Sequence, residues 1–430
     1  MKCIEDEIPF ELPEGWEWTR LASVLSLSSG KSLKVRQLTS EEEFPVYGGN
    51  GINGTHSDYN VDSETIIIGR VGYYCGSVYK TSSKAWVTDN ALIATIKEQN
   101  VFDIDFLVAI LKYLDLGKTS VSTAQPVVSG KGILPLIVPV PPKDEQNRIN
   151  KSYSEIMPVI ALIENDKEEV LALVSKTKSK ILDLAIRGQL VPQDPNDEPA
   201  SVLLERIRAE KEELIKQGKI KRDKKESIIF KGEDNSYYEK FSDGKCHCID
   251  DELPFELPDG WEWCNLSMIG TTNIGLTYRP ADIEPDGTIV LRSSNIVNDE
   301  IDLNDLVRVK TKIRENQYVQ PNDILICARN GSKALVGKCA LVNNLKEPTS
   351  FGAFMAIYRT NYNKYVMHYL RTSLFRSVFN DGNSTAINQL TQDMLKRALI
   401  PFPPILEQEK IVNVVSKLFI HLHGIEKSLN

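Results

Sequence analysis

Residues 4–18 read IEDEIPFELPEGWEW, and residues 249–263 repeat the phrase as IDDELPFELPDGWEW. Twelve of the fifteen positions are identical, and the three differences exchange one acidic residue for another or isoleucine for leucine. Pro-Glu-Gly and Pro-Asp-Gly are turn sequences, and alternate residues of an extended Trp-Glu-Trp share a face. Each copy therefore predicts a turn followed by a strand with two indole rings on one side. Core packing is the favoured role of those rings, over a ligand-binding aromatic platform.

A second pair of matching segments closes each copy. Residues 122–149 run STAQPVVSGKGILPLIVPVPPKDEQNRI, and residues 384–411 run STAINQLTQDMLKRALIPFPPILEQEKI. Both the Ser-Thr-Ala start and the Pro-x-Pro-Pro-x-x-Glu-Gln end hold an offset of 262, against 245 for the opening phrase. Between these frames the two halves barely agree. The chain is therefore a tandem duplication with matching frames and divergent interiors.

After each Pro-x-Pro-Pro the apolar pattern becomes that of a helix. Apolar residues recur at steps of three and four, which is a coiled-coil seam. The first helix should span about 65 Å at 1.5 Å per residue, with a kink or restart at Pro158 and an end at Gly188. Nothing after the second seam matches residues 168–217. We predict antiparallel packing of the two helices through Ile149, Ile156, Ile160, Ile163, Val170, Val174, Ile181, Leu184, Ile411, Val415, Leu418, Leu422 and Ile425.

The remaining segments complete the predicted architecture. A further helix should run from Pro199 to near Gly218, followed by an exposed linker, and the stretches 101–114 and 363–379 should be helical. Strands are predicted within 63–70, 136–140, 287–294, 323–329 and 352–359. We therefore predict an α+β chain with two β-rich globular domains in tandem, joined and spaced by long antiparallel coiled-coil helices. The predicted segments are residues 1–142 (first domain), 143–220 (central helical region), 221–248 (linker), 249–404 (second domain) and 405–430 (distal helix).

Composition narrows the functional class. A length of 430 residues favours two domains over one, and the formal net charge of −8 argues against a generally basic nucleic-acid-binding surface, although a local basic patch is compatible with it. Seven cysteines without disulfide spacing, no secretory leader and no long apolar run predict a reducing, cytoplasmic environment. Cys246, His247 and Cys248 lack a second pair of ligands, so incidental thiols are favoured over a zinc site.

The motifs of catalysis are missing from the sequence. The only double prolines stand in PVPPK and PFPPI, which are not the Asn/Asp-Pro-Pro-aromatic loop of a DNA amino-methyltransferase. SSGKS, residues 28–32, has Leu25 where a phosphate-binding loop needs its first glycine. Of the five histidines, His421 and His423 fall on the distal helix, and His56, His247 and His368 have no carboxylate or cysteine at motif spacing. We predict no catalytic residue and no metal ligand.

Recognition of a DNA sequence requires residues that are less distinctive than catalytic motifs. Lys and Arg contact phosphates, while Arg, Asn and Ser on loops reach base edges. Any one such residue is more often a solvated surface charge, but the interiors hold them in sets. Arg70 and Arg329 follow comparable strands, IIIGRVG and ILICARNG, and are candidates for equivalent positions. The DNA-binding candidates are Lys31, Lys34, Arg36, Asn50, Arg70, Tyr73, Tyr74, Lys80, Lys84, Arg279, Arg292, Ser293, Ser294, Asn295, Lys310, Lys312, Arg329, Asn330, Ser332 and Lys333.

Four kinds of motif in one order carry a family resemblance over essentially the whole chain. They are the Leu-Pro-x-Gly-Trp-x-Trp openings, the loop VYGGNGING at 46–54, the Pro-x-Pro-Pro-x-x-Glu-Gln helix entries and the central ILDLAIRGQLVPQDPNDEPASVLLERI at 181–207. Together they resemble the specificity subunit of type I restriction-modification systems.

The resemblance implies a non-catalytic protein that binds double-stranded DNA. Each interior would be a target recognition domain for one half of an asymmetric bipartite sequence. The helical regions would space these domains and bind modification subunits, two by expectation, joined by ATP-dependent restriction subunits. S-adenosylmethionine, ATP and Mg²⁺ would then be bound by those partners and not by this chain.

Two other functions remain open on the residues alone. A tandem-module adaptor or scaffold without DNA readout would show no salt-dependent affinity for DNA, whereas a DNA-reading protein must lose affinity as salt rises. A self-sufficient nuclease would cleave DNA in the presence of Mg²⁺ without partners.

Overall fold

A computed structural model describes residues 5–39, 43–98, 100–120, 126–220, 222, 226–343, 345–379 and 389–429. The chain forms two compact units, residues 1–166 and 167–430. The long helix α4 (Lys143–Ile186) begins in the first unit and ends in the second. The Ser-Thr-Ala starts of the closing frames, 122–124 and 384–386, lie outside the described residues.

The first unit is built on two small sheets. Its strands are β1 (Glu17–Arg20), β2 (Leu25–Ser29), β3 (Phe44–Gly48), β4 (Gly51–His56), β5 (Ile66–Gly69), β6 (Val78–Lys80), β7 (Trp86–Val87), β8 (Ala91–Ile96) and β9 (Ile137–Val140), and its short helices are α1 (Leu21–Val24), α2 (Ile104–Tyr113) and α3 (Gly130–Ile133). One sheet has the order β2-β8-β5-β6 and the other β4-β3-β7, with β3 and β7 parallel. Strands β1 and β9 pair separately, antiparallel.

The second unit repeats this plan. Its strands are β10 (Ser227–Lys231), β11 (Tyr237–Phe241), β12 (Cys246–Cys248), β13 (Glu262–Asn265), β14 (Thr271–Ile274), β15 (Ile283–Leu291), β16 (Ile296–Val297), β17 (Glu300–Ile301), β18 (Val307–Val309), β19 (Ile324–Cys327), β20 (Cys339–Leu341), β21 (Thr349–Phe351), β22 (Met355–Arg359) and β23 (Leu399–Phe402). Its helices after α4 are α5 (Ala200–Lys216), α6 (Leu266–Ile269), α7 (Asn363–Leu370), α8 (Ser373–Ser377), α9 (Gln392–Arg397) and α10 (Ile405–Leu429). Sheets β14-β22-β19-β20 and β18-β15-β21 match those of the first unit, including the parallel pair β15 and β21.

The described strands of the matching frames pair in the same register. Glu17 pairs with Val140 across β1 and β9, and Glu262 pairs with Phe402 across β13 and β23, which keeps both sequence offsets. The Gln of the helix-entry motif has the same structural role in each copy. Its Nε2 donates to the carbonyl of the proline five residues earlier, at 3.0 Å for Gln146 and 2.9 Å for Gln408. The predicted duplication is confirmed in strand register.

The first tryptophan of each opening is tied to the glutamate of its helix entry. Trp16 Nε1 donates to Glu145 at 3.1 Å, and Trp261 Nε1 donates to Glu407 at 2.9 Å. Trp16 is half-buried, whereas Trp261 and Glu407 are buried. Burial raises the pKa of the Glu407 carboxyl, and the Trp261 N–H opposes that rise. The same hydrogen bond is therefore buried in the second unit and partly exposed to solvent in the first.

We expect Trp261→Phe to cost about 1–3 kcal/mol of unfolding free energy, because a buried carboxylate loses its donor. Trp16→Phe should cost less, since water can replace the lost N–H beside the half-buried glutamate. Hydrogen exchange measured separately on peptides of each unit compares the two variants. Equal losses of protection in the two units would contradict this account.

The seam of the long helices is confirmed at its C-terminal end within the second unit. Ile181 shares a buried cluster with Ile411 and Val415, on which Leu418 and Leu422 also pack, and Val174 is buried. Lys178 Nζ lies 2.7 Å from Glu426, while Gln193 reaches back to Glu407 at 3.3 Å. The earlier residue, Lys178, contacts the later part of α10, and the later residue, Gln193, contacts its start. The segment 178–193 and α10 therefore run antiparallel.

The predicted seam is wrong for the middle of α4. Ile156, Ile160, Ile163 and Val170 are exposed by 55%, 40%, 60% and 38%, and Ile425 of α10 is also exposed. Ile149 and Leu184 are half-buried.

The ends of α4 and α5 follow their sequences, but the predicted restart of the helix at Pro158 is wrong. Gly188 has φ +68°, and Gln189 N–H bonds to Leu184 O at 2.9 Å, which closes α4 as predicted. Helix α5 also ends as predicted, before Gly218 at φ +69°. Helix α4 continues through Pro158, where every residue from 151 to 166 is exposed. Water can therefore satisfy the carbonyl that a proline leaves without a donor.

The predicted strands in the interiors are present, and two segments differ from prediction. The expected helix at 363–379 is two helices, α7 and α8, because the Thr372 hydroxyl caps a new start by accepting from Phe375 N–H at 3.2 Å. The expected linker contains a three-stranded sheet, β10-β11-β12. Ile229 of this region, together with Ile249 just after it, packs with Trp263, so alternating apolar residues outweigh the many charges.

His368 on α7 is a buried histidine from which we expect acid sensitivity of the second unit. The side chain is buried, and no hydrogen-bond partner for its Nδ1 exists in the described part of the chain. Burial, aided by the charge of Arg371, lowers the pKa of His368 from 6.5 to about 4. Since the folded pKa lies below the unfolded one, His368 supports folding above pH 6.5, and this support is lost as the pH falls towards 4.

We expect acidification from pH 7 to about pH 4.5 to cost up to about 3 kcal/mol of unfolding free energy through this group alone. His368→Phe keeps an aromatic ring next to Phe419 and removes the titration. Urea unfolding of both proteins at the two pH values measures the difference. An unchanged pH dependence in the variant would contradict the assignment.

Candidate DNA-binding surface

In the first unit, several strands meet at one end of the two sheets. Lys31 N–H, just beyond β2, bonds to Val87 O at 2.9 Å, and Thr88 N–H bonds to Tyr47 O at 2.9 Å. Arg70 N–H, just beyond β5, bonds to Asn90 O at 2.8 Å. The ends of β2, β3, β5 and β7 and the turn before β8 therefore form one patch. We call it the first strand-end surface, and its predicted candidates are Lys31, Asn50, Arg70, Tyr73 and Tyr74.

The second unit has the same patch in the same pattern of bonds. Leu276 N–H bonds to Phe351 O at 2.7 Å, Gly352 N–H to Leu291 O at 2.9 Å, and Ala328 N–H to Phe354 O at 2.9 Å. This second strand-end surface carries the predicted candidates Arg292, Ser293, Ser294, Arg329, Asn330, Ser332 and Lys333. Within each unit, chain topology thus gathers an equivalent set of loop residues, although the interiors share little sequence.

A glycine allows the close approach at each surface. A Cβ on Gly30 would lie 2.2 Å from the carbonyl oxygen of Thr88, and a Cβ on Gly275 would lie 2.2 Å from that of Gly352. Both carbonyls belong to backbone that cannot swing away as a flexible side chain can. These two glycines hold the same offset as the opening phrase and fix the loop after β2 and β14 against the second sheet.

The expected equivalence of Arg70 and Arg329 is wrong by one residue. Arg70 O accepts from Val128 N–H at 2.9 Å, and it is Ala328 O that accepts from Leu390 N–H at 2.7 Å in the second unit. Arg329 therefore corresponds to Val71. Successive residues of extended chain point to opposite sides, so the two surfaces present their arginines in different directions.

The first strand-end surface displays an aromatic pair beside an anchored arginine. Tyr73 is 91% exposed and its ring packs edge-on against Tyr74, with 5.1 Å between ring centroids. Arg70 Nη1 donates to Ser29 Oγ at 3.3 Å, which directs the guanidinium over the end of β2. The tyrosines supply flat faces and hydroxyl groups, and the guanidinium supplies a planar set of donors.

The second surface is built around two arginines. The Arg329 guanidinium lies 5.4 Å from the centroid of the Phe354 ring, and Arg292 Nη2 lies 2.8 Å from Asp305. Asn330 Nδ2 donates to Ser293 Oγ at 3.2 Å, which joins the loop after β19 to the loop after β15. These contacts orient the side chains while leaving Arg329 exposed.

Phe354 is a residue that sequence reasoning missed. It is 60% exposed, although the sequence pattern places it within a strand. Strand β22 starts one residue later, at Met355, which leaves Phe354 in the turn that receives the N–H groups of Ala328 and Arg329. The signal was its position among small residues in Gly-Ala-Phe, just before the apolar run.

Other candidates lie at the opposite end of the sheets. Lys80 pairs with the first residue of β5, 2.6 Å from Asp105, and Lys84 lies over Tyr59, whose ring packs on the first residue of β3. Lys310 lies 3.1 Å from Glu284 near the start of β15, and this hydrogen bond raises the pKa of the lysine. Their positive charges are already matched within the chain or directed away from the strand-end surfaces.

The last candidates fall outside both surfaces. Arg279 lies 3.6 Å from Asp282, next to Lys310, and Lys312 is exposed two residues further on. Lys34 and Arg36 are exposed in the turn of 3-10 helix after Lys31. Asn295 is buried, and its Nδ2 donates to the carbonyls of Asp302 and Asp305. We therefore remove Asn295 from the DNA-binding candidates.

Clusters suited to metal binding are not found among the described residues, where no group of three or more His, Cys, Asp and Glu side chains converges. Cys246 and Cys248 are exposed on β12, and His247 faces Glu239 at 3.5 Å. None of the helices in the described ranges has the length and apolar content needed to cross a membrane.

Comparison with known proteins identifies the family. The sequence profile of "Type I restriction modification DNA specificity domain" matches residues 13–172 and again 258–430. The "Type I restriction enzyme EcoAI specificity subunit" of Escherichia coli is 25% identical over 96% of this chain and 79% of its own length. The EcoKI specificity subunit of E. coli K12 is 32% identical over 38% of this chain and 37% of its own.

A solved structure supports the fold. A chain from a study of complex assembly and conformational transition of the type I R-M system superposes with a TM-score of 0.57 at 16% identity, covering 98% of this chain and 94% of that one. The tandem units, their matching frames and the long helix agree with the two profile matches. The chain belongs to the family of type I restriction modification DNA specificity domains.

Proposed function

We propose that this chain is the DNA sequence-specificity subunit of a type I restriction-modification complex and recognises an asymmetric bipartite target. The observation that carries the proposal is the pair of strand-end surfaces, which occupy equivalent places in two copies of one fold and carry different side chains. Equivalent position supports the same task for both. Different chemistry supports a different half-site for each.

Each surface offers groups suited to the major groove. Arg329 can present two donors to guanine O6 and N7, and Asn330 or the serines can bond to base edges. Arg70, Asn50 and the two tyrosines supply a different set in the first unit. Lys31 and Lys333 can contact phosphates, and such contacts position a protein without reading sequence.

The exposed apolar side chains of α4 support docking of modification subunits. Tyr153, Ile156, Ile160 and Ile163 recur at helical spacing and form what we call the α4 stripe, flanked by exposed Val159 and Leu162. A row of exposed apolar residues on one helix is a common mark of a protein interface. We infer that the modification subunits bind there.

The partners would carry the chemistry. We infer that the chain itself is non-catalytic and that S-adenosylmethionine is bound by modification subunits. The tandem repeat supports two such subunits per chain. ATP and Mg²⁺ would be bound by restriction subunits. The cytoplasm, where chromosomal and invading DNA are both accessible, is the compartment that fits this role.

The test is co-expression with type I modification subunits, followed by genome-wide mapping of methylated adenines. We expect one bipartite motif with unlike halves and a fixed gap. The purified complex should bind that motif with an affinity that falls steeply as salt rises. Salt-independent DNA binding and no methylated motif would instead favour the adaptor, and cleavage by the chain alone with Mg²⁺ would favour a nuclease.

A further inference from the structure

The two copies of the opening phrase differ in what covers their tryptophans. Trp261 and Trp263 are 3% and 1% exposed, whereas Trp16 and Trp18 are only half-buried. Phe10, which packs on Trp18 as Phe255 packs on Trp263, is 46% exposed. Identical residues in identical strand register therefore lie under a cover in one unit and at an open surface in the other.

In the second unit the cover includes helix α5. Ala200 N–H at its start bonds to Gly260 O at 2.8 Å, and Leu204 one turn later is buried in the cluster that contains Trp261 and Met268. Lys211 further along donates to Ser267 O at 3.1 Å. Successive turns of α5 thus contact the turn glycine, the first tryptophan and helix α6.

In the first unit the same place is a groove of about 550 Å³. Its lining includes Gly15, Trp16, Trp18, Ser23 and Pro142. Gly15 stands where Gly260 accepts from α5, and Ser23 stands where the larger Met268 contacts it. The groove has the shape of the α5 site because the frame that forms it is the same.

We propose that this groove is a docking site for an amphipathic helix of α5-like chemistry carried by a partner polypeptide. A small residue at the start of the helix would donate its N–H to Gly15 O, and an apolar residue four positions later would lie over Trp16. The α5 helix of a second copy is a poor source, because withdrawing it would expose Leu204 and Trp261, which it now buries.

One contact narrows the chemistry of the partner helix. Lys97 Nζ already donates to Ala22 O at 2.6 Å, and Ala22 matches Ser267, the acceptor of Lys211. The first unit therefore supplies its own cation at the far end of the groove. The partner helix needs the small and apolar residues of the first turns of α5 but no lysine at the position of Lys211.

The test uses a fluorescent peptide of residues 196–218 and the full chain. The peptide is stapled across the exposed positions 205 and 209, so that it is helical before it binds. The chain's own α5 keeps the second site closed through its high effective concentration, so the peptide reports on the first groove. Leu204→Glu in the peptide and Ser23→Trp in the chain should each weaken binding by about tenfold or more. The controls are Val202→Glu, on the exposed side of the peptide helix, and Ser83→Trp, in an exposed loop of the chain.

We expect saturable binding at one site per chain, lost with Leu204→Glu and Ser23→Trp and retained with both controls. No saturable binding of the stapled peptide, or equal binding by Ser23→Trp and Ser83→Trp, would overturn the proposal. Dimerisation of the chain alone that Ser23→Trp abolishes would also overturn it, because the occupant would then be a second copy. None of these outcomes depends on which DNA the chain reads.

Discussion

Replacing Ile156 and Ile163 together with aspartate should prevent assembly with the modification subunits and leave the chain folded. Both side chains are more than half exposed in the isolated chain, so the substitutions remove no internal packing. In the complex each isoleucine would bury apolar area worth about 1.5–3 kcal/mol, and an aspartate at that place would bury a charge instead. We expect affinity to fall by at least about a hundredfold.

A matched control uses the other side of the same helix. Ser154→Asp with Ala161→Asp adds the same two charges at exposed positions that face away from the α4 stripe at 3.6 residues per turn. Size-exclusion chromatography of co-expressed subunits, with titration of the purified partners, measures assembly. Full assembly of the Ile156 and Ile163 variant, or loss of assembly in the control, would show that the α4 stripe is not the docking site.

Arg329→Ala should relax the methylated motif at one base pair, in the half read by the second unit. A bidentate arginine–guanine contact discriminates by about 1–3 kcal/mol, and losing it affects one position and not the whole site. Phe354→Ala should have a milder effect in the same direction, because its ring orients the guanidinium at 5.4 Å. The first half of the motif should stay unchanged.

Arg206→Ala is the control for loss of positive charge in the same unit. Arg206 is exposed on α5 and paired with Glu198, away from the strand-end surfaces. Mapping methylated bases in cells that express each variant complex shows both the motif and its degeneracy. A uniform loss of methylation without any change in motif would make Arg329 a phosphate contact and not a base-reading residue.

The parts of the fold that are predictable from sequence are those determined by residues close together in the chain. Turn residues, Trp-x-Trp alternation and the helix-entry motif recur in two places, and this repetition predicts the tandem architecture. The stops at Gly188 and Gly218 likewise follow from a local need for positive φ. Local signals of this kind do not depend on the rest of the chain.

The errors arose where distant segments decide the outcome. The one-residue offset between Arg70 and Arg329 depends on pairing with residues 128 and 390, far along the chain. The exposure of the α4 stripe depends on which other segments pack on it, which apolar spacing within α4 does not reveal. Charges in residues 221–248 suggested a linker, although Ile229 packs beneath Trp263.

The candidate surface was predictable as a set and not residue by residue. Lysines and arginines of the interiors were found by type, but sheet pairing decides which end of a strand each occupies. It places Arg70 and Arg329 at the strand-end surfaces, and Lys80 and Lys310 at the other end, near acidic partners. Phe354 escaped notice because an apolar residue beside a strand is ordinarily a core residue.

The central claim is that each unit reads its own half of the target, independently of the other. The most direct measurement replaces residues 264–383 with the corresponding interior of another family member and maps methylated bases in cells that express the hybrid complex. The frames that pair β13 with β23 and start α10 are retained, so the hybrid keeps its scaffold. We predict that one half of the methylated motif changes, while the other half and the gap stay the same. A change in both halves, or in neither, would contradict the account.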